Sequence, residues 1–416
     1  MAHGSLRQMR RYMEKVFAKE ERLGRMTDGR RDPTLPLSAV LRTWQWGFLR
    51  RTPSTEQIGD LLRDRRWRAH LGLEPEQGGS PDRAAEVLDS LAPEEWQEMM
   101  LEDFFLARRA GVLSDDGLYG KRCAVLDLNE LFQSEKIHCP QCQVREKTVR
   151  DGQGEPRRVQ EYYHQAVALV WVSGSIPFVL GWELLGPGEG ELTAALRLLN
   201  RLLPRLRQSV DLILGDALYC CRPFFQTVCG AGLEALAISS GQTEMDEEME
   251  LLRQTDPPRR VPGIEVDVWE MPSEAWRQDL HRDLRVLHCE RRYEVPVWKH
   301  ERQQLRVVTS MPVEILPAGQ SWKVGRSRWR IENGIFNLLT RDYALTHNYH
   351  HSVTALAALL ALRSFAGFLV QAYWRYATAR SQTAPARFVL WFQQILIEDW
   401  VRYLDAAWAS PDRPSG

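Results

Sequence analysis

Two aspartates each follow a short apolar run in this chain. Residues 123–126 (CAVL) end at Asp127, and residues 210–214 (VDLIL) are followed by Gly215 and Asp216. Both runs predict buried strands, and in open sheets functional groups collect at the carboxyl ends of the strands. If the two strands are neighbours, the carboxylates converge and offer the hard oxygen ligands that Mg²⁺ or Mn²⁺ prefers. The alternative is that each aspartate caps a turn.

A third acidic residue lies in a predicted helix that begins near residue 321. Arg328 and Glu332 are four residues apart, so they share one helix face, which Phe336 and Leu339 continue with apolar side chains. A charged pair within an otherwise apolar stripe needs a partner inside the protein. The alternative is a surface ion pair, which stabilises a helix by only a few tenths of a kcal/mol.

Three motifs in the chain resemble those of bacterial insertion-sequence transposases, in the family's order. Residues 328–337 (RWRIENGIFN) resemble the C-terminal signature of this family. Residues 126–130 (LDLNE) resemble its first-aspartate motif, and residues 216–219 (DALY) resemble its second-aspartate motif, Asp-x-x-Tyr. The resemblance covers residues 122–350, which is over half of the chain.

The resemblance implies a cut-and-paste DDE enzyme with an RNase H-like fold. This is an α/β fold, a mixed sheet with helices on both faces, here with a β-rich insertion and a helical N-terminal domain. Asp127, Asp216 and Glu332 would be the catalytic triad and would hold two Mg²⁺ (or Mn²⁺) ions. Such two-metal sites stabilise the attacking and leaving oxygens of an in-line displacement, first in cleavage at the element ends and then in strand transfer into target DNA.

The resemblance also implies residues that contact DNA. Arg328 would hold a phosphate, since a guanidinium suits that role, and Tyr219 and Arg341 would add DNA contacts. A tryptophan of the insertion would hold a flipped base; we assign this role to Trp298, for which the alternative is a core position. The sequence departs from the family motif at Gly325 and Leu339, where the family has Tyr and Lys.

Cys139 and Cys142 form half of a zinc-site pattern. His164 could supply a third ligand and His138 a fourth, which would complete a structural Zn²⁺ site. Free thiols near a loop are the alternative interpretation, because the chain has no second Cys-x-x-Cys pair. Seven cysteines in a long chain do not indicate a disulfide framework.

The charge of the chain is unevenly distributed. The formal net charge is -1, which by itself argues against nucleic acid as a partner. Residues 1–70, however, hold 16 Lys and Arg against 8 Asp and Glu, and residues 253–341 hold 16 against 12. Basic segments on a neutral chain indicate a polyanionic partner, and the resemblance implies double-stranded DNA, both inverted repeats and target, bound by a synaptic homodimer.

Two alternative functions stay open at this point. One is an RNase H-like nuclease that cuts DNA without strand transfer, and the other is an inactive DNA-binding relative. The apolar stretch at residues 353–373 contains Arg363, so we expect a buried core helix and no membrane partner. No secretion signal is visible, and we expect a cytoplasmic, nucleoid-associated bacterial protein.

The changes in sequence pattern predict five parts. These are a helical, basic DNA-binding region (1–111), the first part of the catalytic core (112–240), a β-rich insertion (241–320), the C-terminal core helices (321–380), and a final helix with a disordered tail (381–416). Within the first part, the pattern around residues 50–53 is equally compatible with a helix-turn-helix and with an ordinary helical hairpin.

Overall fold

The computed structural model describes residues 6–74, 80–114, 117–150, 152, 154–241, 244–261, 265–297, 300–378, 400 and 402–404. The chain divides into two compact units. One unit gathers residues 1–113, 130–165 and 336–416, and the other gathers residues 114–129 and 166–335. We call them the helical unit and the sheet unit.

The described helices, in chain order, are α1 (Leu6–Phe17), α2 (Lys19–Gly24), α3 (Leu37–Leu49), α4 (Thr55–Arg63), α5 (Arg65–His70), α6 (Pro81–Glu86), α7 (Pro93–Arg109), α8 (Glu191–Leu206), α9 (Arg222–Gly230), α10 (Glu244–Thr255), α11 (Arg277–Leu280), α12 (Ala318–Arg326), α13 (Asn337–Tyr343) and α14 (Val353–Thr378). Short 3-10 turns occupy Val87–Ser90, Ala217–Tyr219 and Ser327–Trp329, and a π-helical turn occupies Ile331–Phe336.

The strands are β1 (Cys123–Ser134), β2 (Gln143–Arg150), β3 (Pro156–Trp171), β4 (Phe178–Leu184), β5 (Leu212–Gly215), β6 (Glu234–Ile238), β7 (Arg259–Val261), β8 (Val266–Ser273), β9 (Leu284–Val297) and β10 (His300–Thr309).

The sheet unit confirms the predicted fold class, a mixed α/β sheet. Its strands follow the order β4-β3-β1-β5-β6-β10-β9-β8-β7. β5 runs parallel to both β1 and β6, whereas β10 returns antiparallel to β6. Helix α8 packs on β4 and α9 packs on β6, which covers the apolar residues of these strands. The insertion contains the predicted strands, β7 to β10, and also the helix α10.

The helical unit is built around α14. This helix is long and apolar enough to cross a membrane by length and composition, yet 83% of its most apolar window is buried inside the protein. It packs against α3 and α7, and Arg363 within it donates hydrogen bonds to the carbonyl oxygens of Leu345 and His347 at 3.0 and 3.2 Å. These bonds pair both terminal nitrogens of the buried guanidinium. The prediction of a core helix is therefore confirmed.

The N-terminal region is helical, as predicted. Ser54 caps α4, because its hydroxyl accepts from the Gln57 amide. The basic side chains around the predicted helix-turn-helix, however, pack inside the helical unit: Arg50 lies over the Trp400 ring and Arg51 pairs with Asp342 at 3.1 Å. These two residues therefore do not form a solvated basic face, and DNA binding by this region stays a prediction.

Two elements differ from the sequence-based expectation. Strand β2 was not predicted, because its residues (QVREKTVR) are mostly charged; it forms a hairpin with β3 in the helical unit. The helix predicted from residue 321 to residue 340 is not continuous. It is α12 followed by the 3-10 and π-helical turns and then α13. The final helix and tail, residues 381–416, lie almost entirely outside the described residues.

A candidate metal centre formed by three carboxylates

The register between β1 and β5 brings the first two acids together. Cys123 pairs with Leu212 and Val125 with Leu214 in a parallel ladder. Two residues further along, the same register sets Asp127 beside Asp216. Side chains at paired positions of neighbouring strands project to the same face of the sheet. The condition stated from the sequence, that the two strands be neighbours, is therefore met.

Asp127 is a buried carboxylate in an acidic surrounding. Its side chain is 12% exposed, and its Oδ1 accepts a hydrogen bond of 3.0 Å from the Leu128 amide. The pKa of Asp127 is raised to about 7, mainly by burial and also by the charges of Glu332 and Asp216, while Arg328 opposes the rise. Both other acids thus lie within electrostatic reach of Asp127.

Arg328 links Asp127 to the third acid. Its Nη1 lies 3.0 Å from Oε1 of Glu332 and 3.8 Å from Oδ2 of Asp127. The guanidinium is 11% exposed, whereas Glu332 is 46% exposed and faces solvent. Asp127 is therefore the partner inside the protein that the sequence required for Arg328, whereas Glu332 itself is not buried. The single positive charge of Arg328 therefore lies against two of the three carboxylates and offsets one negative charge.

The backbone around Glu332 is held by Arg330, a residue that the sequence analysis did not select. Its guanidinium donates to the carbonyl oxygens of Val172 and Gly174 at 2.5 and 2.7 Å, just after β3. Burial lowers the pKa of Arg330, although a guanidinium remains charged at physiological pH. Glu332 itself lies in the π-helical turn, a conformation that is frequent at functional sites.

Tyr219 lies in the turn that follows Asp216. Its ring is fully buried, and its hydroxyl donates a 2.7 Å hydrogen bond to Glu191 at the start of α8. The ring also lies against Gly215, where a Cβ would come within 2.5 Å of the Tyr219 Cβ, so only glycine fits. Asp216 accepts from the Leu218 amide at 2.9 Å and is fixed by the same turn.

Glu191 is a fourth acid near the centre that sequence reasoning missed. Burial raises the pKa of its carboxyl, and so does the charge of Asp216, while the Tyr219 hydrogen bond lowers it. The position of Glu191 just after Gly190, at the first turn of an amphipathic helix, is typical of a helix start, so the sequence contained no separate signal for it.

The remaining predicted DNA contacts are placed as follows. Trp298 lies outside the described residues. Arg341 belongs to the helical unit, where it is exposed and pairs with Asp342 at 2.9 Å. Gly325, at the family's Tyr position, packs against β10; a Cβ there would lie 3.0 Å from the Leu305 side chain, too close for a larger residue without rearrangement. Leu339, at the Lys position, is a buried core residue.

The predicted zinc ligands are brought together only in part. Cys139, Cys142 and His164 cluster in the helical unit, and the fourth member of the cluster is His351. His138 is not a member: its ring stacks on Tyr162 with centroids 4.6 Å apart. His351 was missed because it lies far along the chain, where nothing in the local sequence connects it with the cysteines.

The comparisons with known proteins support the resemblance. Residues 186–369 match the family model of the transposase DDE domain. That range includes Asp216 and Glu332 but begins after Asp127. A search of curated proteins finds no match.

One similar solved structure is a piggyBac transposase synaptic complex with hairpin DNA, determined by cryo-electron microscopy. The two chains share 10% identity at a TM-score of 0.44, and the similarity covers 98% of this chain and 83% of the other.

Proposed function

We propose that this protein is a DNA transposase that cleaves DNA at the ends of its element and joins the freed 3′ ends to target DNA. The observation that carries the proposal is that Arg328 lies against both Asp127 and Glu332, while the β1–β5 register sets Asp216 beside Asp127. The match of residues 186–369 to the transposase DDE domain supports it. The same proposal includes a bacterial insertion-sequence origin and action at inverted repeats as a synaptic homodimer. It also includes a cytoplasmic, nucleoid-associated location.

The residues present fit two divalent cations. Asp127 has a raised pKa because burial and two neighbouring carboxylates disfavour its charge, so a cation is the natural partner of this cluster. Asp127, Asp216 and Glu332 would hold the ions. Bound Mg²⁺ or Mn²⁺ would polarise the scissile phosphate and stabilise the attacking and leaving oxygens.

The side chains around the acids orient the substrate and the carboxylates. Arg328 presents a planar cation beside the acids, where it can hold a phosphate oxygen of the DNA strand. The hydroxyl of Tyr219 fixes Glu191, and the turn that contains Tyr219 holds Asp216 at the strand end. Arg330 holds the backbone that leads into Glu332. Trp298 and Arg341 are proposed to contact DNA.

The test uses DNA duplexes that carry the genomic sequences flanking the coding region, labelled at one end, with Mg²⁺ and a supercoiled target plasmid. We expect cleavage at one border and covalent joining of the freed 3′ end to the plasmid. Cleavage without joining would replace the proposal by a nuclease. Binding without cleavage, in Mg²⁺ and in Mn²⁺, would replace it by an inactive DNA-binding relative.

A further inference from the structure

A compact sulfur and nitrogen cluster lies in the helical unit. It consists of Cys139 and Cys142 between β1 and β2, His164 on β3, and His351 just before α14. One ligand atom from each residue lies within 4.8 Å of the ligand atoms of the others. Cys142 and His164 are buried, at 4% and 1% exposed, while the other two are half-buried.

The distances between these atoms match a tetrahedral metal site. The two Sγ atoms are 3.8 Å apart, and Nε2 of His164 lies 3.4 Å from Cys139 Sγ and 3.5 Å from Cys142 Sγ. Nε2 of His351 lies 3.1 Å from Cys142 Sγ. Zinc bonds of about 2.3 Å to sulfur and about 2.0 Å to nitrogen at tetrahedral angles require separations of about 3.8 Å between sulfurs and about 3.5 Å between sulfur and nitrogen.

The separation of the two Sγ atoms excludes a disulfide between Cys139 and Cys142 in this structure. A disulfide brings the sulfurs to about 2.05 Å, far closer than the separation found here. The local backbone instead forms a turn around the pair: the Cys142 amide donates to the Cys139 carbonyl at 3.1 Å, and the Cys139 amide donates to Cys142 Sγ at 3.3 Å. An amide directed at sulfur stabilises a thiolate, which is the form that binds a metal.

The strand register places the third ligand beside this turn. In the β2–β3 hairpin Gln143 pairs with Tyr163, so the preceding Cys142 falls next to His164. His351 belongs to the last of the three chain segments of the helical unit, residues 336–416. Phe132 packs edge-on against its ring, with the ring centroids 4.9 Å apart. Within the helical unit, the hairpin and the start of α14 therefore meet at the cluster.

We propose that Cys139, Cys142, His164 and His351 bind one structural Zn²⁺. Two thiolates and two imidazoles are a complete ligand set for a closed tetrahedral site. The ion would tie the β2–β3 hairpin to the chain that enters α14. Because the four ligands come from three separate segments, the metal contributes to folding of the helical unit and is distinct from the carboxylate centre.

The test is the zinc content of the purified full-length protein, expressed in zinc-supplemented medium and measured by elemental analysis. We expect about one zinc per chain in the wild type. Cys142→Ser and His351→Ala are expected to lower the content at least about fivefold, since loss of one ligand opens the site. His138→Ala is the matched control, since this neighbouring histidine lies outside the cluster, and it is expected to retain the zinc.

Cobalt substitution of the wild type keeps the test decisive if the variants fail to fold. Co²⁺ in this site is expected to give the thiolate charge-transfer band and the intense d–d bands of tetrahedral coordination. Wild-type protein without zinc, or a Cys139–Cys142 disulfide found in protein purified without oxidant, would overturn the proposal. Loss of zinc in His138→Ala with full zinc in His351→Ala would overturn the ligand set.

Discussion

Replacing Asp216 by asparagine is expected to lower the rate of DNA cleavage at least ~10³-fold, which corresponds to about 4 kcal/mol of transition-state stabilisation. Asparagine keeps the size of the side chain and can still accept the Leu218 amide hydrogen bond, so the turn at the end of β5 persists. It removes the negative charge that would bind a cation. The measurement is single-turnover cleavage of the end-labelled duplex in Mg²⁺.

Asp211→Asn is the matched control for this variant. Asp211 and Asp216 flank the same four-residue strand, β5, at its two ends. Asp211 pairs with Arg122 at 2.6 Å and has no part in the proposed centre. We expect cleavage by Asp211→Asn within about threefold of wild type at a temperature where circular dichroism shows both variants folded. Equal activities of the two variants would remove Asp216 from the active site.

Replacing Asp127 by asparagine is expected to stabilise the protein in the absence of divalent cations, although it removes a proposed catalytic acid. Asp127 has a pKa of about 7 in the folded protein against 3.8 in the unfolded chain. Between these values the folded state retains a proton that the unfolded state has released. The free energy of unfolding of the wild type therefore falls as the pH rises from about 4 to about 7, and this contribution is constant above that range.

The size of the effect follows from the pKa difference. Each pKa unit corresponds to 1.36 kcal/mol, so wild type is expected to lose about 2 kcal/mol relative to Asp127→Asn between pH 5 and pH 7.5. Urea unfolding without Mg²⁺ or Mn²⁺ measures this difference. Asp211→Asn is the contrasting variant: burial raises the pKa of Asp211, but hydrogen bonds from Arg122 outweigh burial and lower the pKa below 3.8. The contribution of Asp211 to the free energy of unfolding is therefore constant between pH 5 and pH 7.5, and the wild type and Asp211→Asn are expected to show the same pH dependence there. If the free energy of unfolding of the wild type and of Asp127→Asn depended on pH in the same way, the raised pKa of Asp127 in the folded protein would be contradicted.

The sequence predicted the two apolar strands that carry or precede Asp127 and Asp216, and the structure pairs these strands in parallel. β1, however, continues past Asp127 to Ser134, so Asp127 lies within its strand and only Asp216 follows the end of its strand. The Arg328–Glu332 ion pair was also predicted, but the backbone conformation of these residues was not. The residues around Glu332 form 3-10 and π-helical turns, and Arg330 between them donates hydrogen bonds to the carbonyl oxygens of Val172 and Gly174. Contacts of this kind depend on the tertiary fold and leave no local pattern.

Dependence on contacts between distant parts of the chain also explains the other differences between the sequence-based predictions and the structure. Glu191 and His351 acquire their surroundings from partners that are distant in sequence, so neither could be selected from its neighbours along the chain. Strand β2 escaped prediction because its pairing with β3 leaves most of its side chains exposed and charged. Gly325 and Leu339 differ from the family motif, and both are core positions in this fold, which explains why a Tyr and a Lys are absent there.

The central claim is that Asp127, Asp216 and Glu332 together bind divalent cations. It is tested most directly by Mn²⁺ titration followed by electron paramagnetic resonance, in the presence of the cleaved DNA duplex. We predict two bound ions per chain in the wild type, loss of at least one in Asp127→Asn, and no specific binding in the variant with all three acids replaced by their amides. Unchanged Mn²⁺ binding in that triple variant would contradict the claim.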